Sequence, residues 1–313
     1  MIIHPYTEIA VLSYARATDD AQWFIDFLSD NKITVEPNSV LAQAIDIMQK
    51  LIVWQKDESQ VPTILDTKGV MSKAIGSWYL ICCIREASKH PRFDGVIRLL
   101  PQLASENPIM TMADKSSMPR NLSFELETGC LFLASGIEAQ SKPEPDLIVN
   151  YSQENWNIAC KMIYSLNPVT LGDNIEKGID QSLREDGYGM VFLGISNRID
   201  HDTFMPILDS KNEVMGSFRN KIYAEKLLGT TFQKIFNEVK EQGKTRFDAL
   251  IREPRFRGIG LIAHTTCAIG KTFSILSGVG LLRRDDFGLP YFEGPEIRLM
   301  KTINDTAQTV ITR

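Results

Sequence analysis

Apolar residues recur at helical spacing through the first third of the chain. Either Asn38 or Ser39 can act as the N-cap of the helix predicted at 40–54. Pro91 indicates that the helix predicted at 71–87 ends before it, because proline disfavours helical conformation at the preceding residue. The periodicity predicts amphipathic helices in this region. The four segments are 21–28, 40–54, 71–87 and 93–104.

A polar stretch, MTMADKSSMPRN, interrupts this pattern at 110–121 and contains Pro119. A change of composition of this kind is typical of a boundary between structural units. We therefore predict a helical N-terminal domain at 1–115 and a second domain at 116–313.

Helix and strand patterns alternate after the boundary. Residues 122–134 have a helical stripe that Gly136 can end. Residues 145–151 and 155–163 have the character of strands, and the residues SQEN between them suit a hairpin turn.

A second helical stripe follows, with Asp173 as its expected cap and Gly187 as its expected end. The continuous apolar run at 189–196 is typical of a buried central strand. This order of elements predicts an α/β (α+β) fold, in which a helical N-terminal region precedes a mixed sheet flanked by helices. The stripe of the second helix consists of Ile175, Ile179 and Leu183.

The C-terminal part of the sequence is less specific. Residues 217–241 have the pattern of a long helix. The glycine-interrupted apolar runs 258–269 and 273–282 fit strands or short buried helices, and periodicity leaves both open.

Alternation along the strand at 155–163 separates its side chains into two sets. Lys161 and Ala159 share one face with Asn157, so the lysine projects away from the face expected to join the core. The set expected in the core is Trp156, Ile158, Cys160 and Met162.

Pro145-Asp146, followed by a strand that contains Ala159-Cys160-Lys161, resembles the PD…(D/E)xK signature of restriction-endonuclease-like nucleases. The resemblance covers 119–196, including the helix with Phe124-Glu125-Leu126-Glu127 before the signature and the helix and strand after it. It implies a restriction-endonuclease-like mixed sheet and a Mg²⁺- or Mn²⁺-dependent nuclease, with DNA as the expected substrate.

The resemblance also assigns roles to residues of this chain. Asp146 and Glu125 are the expected metal ligands, and Asp146, Lys161, Glu125 and Glu127 are the expected catalytic residues. Carboxylates hold a metal ion that activates water and neutralises charge. The lysine orients the water and offsets the charge of the phosphate.

The sequence departs from the family pattern at Ala159, where the signature has an acidic residue. Two readings remain open. A helix glutamate, Glu125, Glu127 or Glu176, supplies the missing ligand, or the protein is a catalytically inactive relative that binds nucleic acid or serves as a structural subunit.

A second motif competes with this interpretation. Residues 265–272, TTCAIGKT, resemble a Walker A loop whose lysine is Lys271, although Thr265 stands where the first glycine belongs. This alternative predicts a nucleotide-binding protein.

Composition narrows the choice of class. A net charge of -5 and a pI of about 5.5 argue against a dedicated basic nucleic-acid coat protein. The five cysteines include no CxxC pair, and we expect buried thiols in a reducing compartment.

We recognise no signal peptide or membrane span, and therefore expect a cytoplasmic protein without a membrane partner. The helical N-terminal region is the candidate surface for a protein partner or a second copy.

Overall fold

The computed structural model describes most of the chain, with several gaps. The described residues are 2–3, 10–12, 14–37, 39–56, 68–105, 118–165, 167–196, 229–241, 252–269, 272–283, 286 and 294–310. The predicted boundary segment at 110–121 lies largely outside them, and so does the first half of the predicted helix at 217–241.

The described part of the chain is mixed α/β, with helices before the main strands, as the sequence predicts. Its helices are α1 (Tyr14–Asp30), α2 (Val40–Lys56), α3 (Lys68–Ala87), α4 (Asp94–Ile97), α5 (Leu100–Ser105), α6 (Met118–Ala134), α7 (Pro168–Ser182), α8 (229–241) and α9 (Pro295–Thr309). Its strands are β1 (Ile2–Ile3), β2 (Ala10–Leu12), β3 (Glu138–Ser141), β4 (Leu147–Tyr151), β5 (Glu154–Met162), β6 (Tyr188–Gly194), β7 (Phe256–Ile269) and β8 (Thr272–Leu282).

The strands form one mixed sheet in the order β1-β8-β7-β6-β5-β4-β3, with β2 also paired to β8. Strands β5, β6 and β7 are parallel neighbours, and the other pairs are antiparallel. The antiparallel pairing of β4 with β5 and the central place of β6 are as predicted. The two C-terminal apolar runs prove to be strands, and β3 was not predicted.

Local signals explain where several elements begin and end. Ser39 caps α2, since its Oγ accepts a hydrogen bond from the N–H of Ala42 at 3.1 Å. Gly136 ends α6 with a φ of 76°, a left-handed conformation that glycine adopts without strain. The turn between β4 and β5 consists of Ser152 and Gln153, both with positive φ, as in a two-residue hairpin turn.

The single helix expected at 93–104 is wrong, because the structure has two short helices, α4 and α5, in its place. Pro101 has no N–H to donate to the carbonyl of Ile97, and its ring clashes with a preceding helical turn. Proline is tolerated in the first turn of a new helix, which is where α5 places it.

The predicted bounds of α7 are also wrong. Asn167, not Asp173, caps the helix: its side chain accepts hydrogen bonds from the N–H groups of Val169 and Thr170, and Pro168 follows in the first turn. The helix ends at Ser182, before Gly187. Gly187 has a φ of 119° and passes close to the backbone of Asn155, so it shapes the entry into β6.

Both faces of the sheet are buried. Trp156, Ile158 and Cys160 of β5 belong to a core formed with α1 to α6 and α9. Ala159 belongs to a second core, formed with α7 and α8. The predicted alternation along β5 is therefore confirmed, but the face that carries Ala159 is a second packed interior.

The N-terminal helices share the first of these cores, which extends from Ala17 to Val310. Strands β1 and β2 also join the sheet through β8. Apolar packing thus continues across the predicted boundary near residue 116. Among the helices that the structure describes, none combines the length and the apolar character needed to span a membrane.

Candidate active site

Asp146 and Lys161 meet at one edge of the sheet. Asp146 directly precedes β4. Lys161 is the next-to-last residue of β5, which runs antiparallel to β4, so both residues lie where β5 ends. We call this the carboxyl edge: it contains the ends of β5 and β6 and the start of β4. Nζ of Lys161 lies 3.3 Å from Oδ2 of Asp146, and their side chains are 17% and 15% exposed.

The carboxylate of Asp146 also fixes the backbone of β5. The ladder between β4 and β5 ends at the pair Leu147–Ile158. Beyond it, Oδ2 of Asp146 accepts a 2.6 Å hydrogen bond from the N–H of Cys160. Oδ2 of Asp146 therefore takes the place of a backbone carbonyl in the ladder, and the same oxygen binds Lys161. The hydrogen bond to Cys160 fixes the position of the carboxylate relative to β5.

The aliphatic stem of Lys161 runs beside α7. A Cβ at Gly178 of that helix would lie 3.6 Å from Cγ of Lys161 and 3.0 Å from the side chain of Val191. Glycine at this position lets α7 approach the sheet closely. The stem is packed as a result, while the ammonium group reaches Asp146 at the carboxyl edge.

Glu125 of α6 completes the group. Its Oε1 accepts a 2.6 Å hydrogen bond from the hydroxyl of Ser141. Burial raises the pKa of Glu125 from 4.5 to about 7, the negative charge of Asp146 adds to this rise, and the Ser141 hydrogen bond and Lys161 oppose it. The charges of Asp146 and Lys161 thus act on Glu125 in opposite directions, and burial is the main cause of its raised pKa.

Glu127 lies on another side of α6. It is 5% exposed, and its Oε1 lies 3.6 Å from Nδ1 of His264 on β7. Glu176 lies on α7 and is partly exposed. Glu125 therefore contacts Ser141 of β3, whereas Glu127 contacts His264 of β7.

Ala159 offers no open coordination position. Its side chain is fully buried in the second core, among residues that include Leu171 and Ile175 of α7. A longer acidic side chain at this position would enter an apolar interior. Position 159 therefore supplies no ligand to a metal ion at this edge.

The donor set fits a hard cation held by few protein ligands. No group of three or more His, Cys, Asp or Glu side chains suited to a metal ion occurs among the described residues. Mg²⁺ commonly takes only one or two carboxylates and completes its shell with water and substrate phosphate. Asp146 and Glu125 provide two such carboxylates, and both contacts of Asp146 with described residues use Oδ2.

The Walker A-like motif does not have the strand–loop–helix context that phosphate binding needs. Residues 265–269 belong to β7, and Thr272 begins the antiparallel β8, where it pairs with Ile269. Gly270 and Lys271 lie outside the described residues. The motif therefore spans a hairpin, and no helix N-terminus follows its second half to receive a phosphate.

The arginine-rich segment at 252–257 lies at the opposite edge, where the parallel β7 begins. Arg257 contacts the fully buried Glu296 at 2.9 Å and lies over the ring of Tyr188. Arg255 donates to the backbone oxygens of Leu183 and Glu185. These contacts tie the ends of α7 and α9 to the sheet.

One polar cluster at the carboxyl edge was not predicted from the sequence. Ser196 follows β6, and its Oγ lies 3.3 Å from Nδ1 of His264 and accepts the backbone N–H of the same histidine at 3.0 Å. The signal that would find it is a polar residue directly after a buried parallel strand. Its partner, His264, is 68 positions later in the chain, so their proximity becomes evident only when the register of β6 and β7 is known.

The prediction that the cysteines are buried is confirmed for four of them. Four cysteines, Cys82, Cys83, Cys130 and Cys160, are free and buried. Burial raises the pKa of each of these thiols, so they remain protonated.

Comparison with models of protein families, with curated proteins and with solved structures found no match to this chain.

Proposed function

We propose that this protein is a metal-dependent nuclease of the PD-(D/E)XK type that hydrolyses phosphodiester bonds, with DNA as its expected substrate. The observation that carries the proposal is the ion pair of Asp146 and Lys161 at the carboxyl edge, with Glu125 held by Ser141 on the neighbouring helix α6. Nζ of Lys161 lies 3.3 Å from Oδ2 of Asp146. Burial raises the pKa of Glu125, and the negative charge of Asp146 adds to that rise.

The order of elements supports the same proposal. Helix α6 supplies the glutamate, the proline–aspartate pair opens β4, and β5 carries the lysine, with α7 and β6 following. Strand β3 lies between α6 and β4 and supplies Ser141, which holds Glu125. The carboxyl ends of parallel strands are the usual place for ligands in open α/β sheets.

The residues have distinct parts in the proposed reaction. Asp146 and Glu125 would hold Mg²⁺ or Mn²⁺, and such an ion supplies Lewis-acid activation of water and neutralisation of phosphate charge. Lys161 donates to the attacking water or to a nonbridging phosphate oxygen as negative charge develops. Asp146 positions the lysine, and the packing of its stem against α7 limits the motion of the ammonium group.

A second candidate is a catalytically inactive relative that binds nucleic acid. The observation in its favour is the full burial of Ala159, since this position supplies no carboxylate and the described residues contain no group of three or more His, Cys, Asp or Glu side chains that could hold a metal ion. In that case the Asp146–Lys161 pair fixes the end of β5 and has no catalytic part.

One assay separates the two candidates. Purified protein is incubated with single- and double-stranded DNA and RNA in the presence of Mg²⁺ or Mn²⁺, with EDTA as the control. The nuclease predicts metal-dependent cleavage of at least one substrate. Binding without cleavage under every condition supports the inactive relative, and neither binding nor cleavage rejects both.

A further inference from the structure

Helix α7 carries an exposed lysine close to the Asp146–Lys161 pair. Lys177 directly precedes Gly178, and a Cβ at Gly178 would lie 3.6 Å from Cγ of Lys161. Consecutive Cα atoms are about 3.8 Å apart, so the Cα of Lys177 lies no more than about 9 Å from the stem of Lys161. Lys177 itself is exposed. Lysines from a helix and from a strand therefore lie close together beside the candidate site.

The contacts of α7 fix the side of the helix on which Lys177 lies. Gly178 faces the sheet. Asp180 accepts a hydrogen bond from Arg184 at 3.1 Å, and Arg184 also pairs with Glu144 in the loop before β4. Because successive residues turn by about 100° around a helix axis, Lys177 lies between Gly178 and Asp180. The lysine is therefore on the flank of α7 that faces the start of β4.

The direction of α7 brings Lys177 towards the carboxyl edge. The helix connects the parallel strands β5 and β6, so it runs antiparallel to both. Three residues of a helix span about 4.5 Å, and Lys177 is nearer to the carboxyl edge than Asp180 by that distance. Glycine at 178 allows α7 to lie close to β5 and β6. The helix thus holds Lys177 near the end of the sheet where Asp146 and Lys161 meet.

The charges of α7 make Lys177 the cation that a phosphate group would meet on this flank. Arg184 is held by two carboxylates. Among the residues that the structure describes, no carboxylate forms an ion pair with Lys177. The helix also carries Asp173, Glu176 and Asp180, so without the lysine its negative charges would repel a polyanion.

We propose that Lys177 binds the phosphate group next to the scissile one, with its Nζ donating to a nonbridging oxygen. The inference rests on the proposed function: Lys161 serves the phosphate that is cleaved, and Lys177 holds its neighbour in the same strand. A lysine contact to the backbone positions a nucleic acid without reading its sequence. Lys177 is therefore a binding residue and takes no part in the chemical step.

The first test compares wild type with three lysine variants. Lys177→Gln removes the cation, Lys177→Arg keeps it, and Lys301→Gln removes an exposed cation from α9, on the opposite face of the sheet. The affinity for a fluorescently labelled oligonucleotide, of the type that the wild type cleaves, is measured by anisotropy in EDTA from about 50 to about 200 mM salt. We expect Lys177→Gln to bind about tenfold more weakly at the lowest salt, with a log–log salt slope smaller by about 0.7 to 0.9. Lys177→Arg and Lys301→Gln should bind within about twofold of wild type.

A second test locates the contact on the nucleic acid. Each phosphate of the oligonucleotide in turn is replaced by an uncharged methylphosphonate, and the affinities of wild type and Lys177→Gln are compared at every position as a double-mutant cycle. Neutralising the phosphate next to the scissile one should weaken binding by wild type about tenfold and binding by Lys177→Gln no more than about twofold. Replacement of distant phosphates should weaken both proteins equally.

Wild-type affinity in Lys177→Gln overturns the inference. An equal loss in Lys301→Gln also overturns it, because net charge then accounts for the effect, and so does a loss in Lys177→Arg as large as that in Lys177→Gln. Coupling of Lys177 only to a phosphate remote from the cleaved bond contradicts the proposed position. In each of these cases, metal-dependent cleavage by the wild type leaves the proposed function standing. If the wild type cleaves no nucleic acid, there is no scissile phosphate and both fail.

Discussion

Nζ of Lys161 lies 3.3 Å from Oδ2 of Asp146, and the same oxygen accepts the N–H of Cys160 at 2.6 Å. The carboxylate of Asp146 therefore has a structural role, which needs only an oxygen acceptor for the Cys160 N–H, and a proposed catalytic role, which needs its negative charge. Substitutions that keep one property and remove the other distinguish them.

Asp146→Asn keeps an oxygen acceptor in place of the carboxylate, and Asp146→Ala removes it. We expect the asparagine variant to lose about 1 kcal/mol of unfolding free energy. The alanine variant should lose about 3 kcal/mol, because it leaves both the Cys160 N–H and the lysine without an acceptor. Urea denaturation at neutral pH measures the difference. Equal losses in the two variants would show that the hydrogen bond to Cys160 contributes little.

Lys161→Met removes the ammonium group but retains a stem that packs beside Gly178. We expect a lower Tm, because Asp146 loses its cation but keeps the Cys160 N–H, and a kcat for phosphodiester cleavage reduced about a hundredfold or more in the folded protein. The matched control is Lys50→Met, which removes a lysine from the exposed Asp46–Lys50 pair on α2. A similar kcat for wild type and Lys161→Met would remove the lysine from the proposed mechanism.

Glu125 makes stability depend on pH. Below about pH 4.5 its carboxyl is protonated in the folded and unfolded states and carries no penalty. As the pH rises through about 7, the unfolded chain ionises more readily than the buried group, and stability is lost. We expect the advantage of Glu125→Gln over wild type to grow by about 3 kcal/mol between pH 4 and pH 8.5. Chemical denaturation in EDTA measures it, and a difference that stays constant with pH would contradict the buried carboxyl.

Ala159→Glu tests whether the acidic residue of the family signature can be restored. Ala159 is fully buried among apolar side chains, so we expect a loss of about 3 kcal/mol or more and no gain in cleavage. The control is Ala159→Met, whose side chain has a similar length but no charge. The additional loss of unfolding free energy in Ala159→Glu measures the cost of burying the carboxylate. A stable Ala159→Glu protein that cleaves faster than wild type would show that position 159 does face the site.

Local signals made much of the fold predictable. Alternating residues and a polar turn indicated β4 and β5, a continuous apolar run indicated β6, and Gly136 marked the end of α6. The resemblance to the PD…(D/E)xK signature predicted that Asp146 and Lys161 share a site. The two-residue turn of Ser152 and Gln153 sets the register of β4 and β5 that brings them together.

Features that depend on distant neighbours were not predictable. Burial of Ala159 depends on α7 covering the second face of the sheet, and alanine is compatible with either a cleft or a core. The partner of Glu127 is His264, which the parallel pairing of β6 with β7 brings into place. No local pattern encodes that pairing.

The central claim is that the carboxylate of Asp146 serves a metal-dependent nuclease, and one rate comparison tests it most directly. Cleavage in Mg²⁺ is measured for wild type, for Asp146→Asn and for Asp46→Asn, which removes a carboxylate from the exposed ion pair on α2. The account predicts cleavage by wild type and Asp46→Asn, abolished by EDTA, and a rate at least about a hundredfold lower in a folded Asp146→Asn protein. Equal rates in all three proteins, or no cleavage by the wild type, would contradict it.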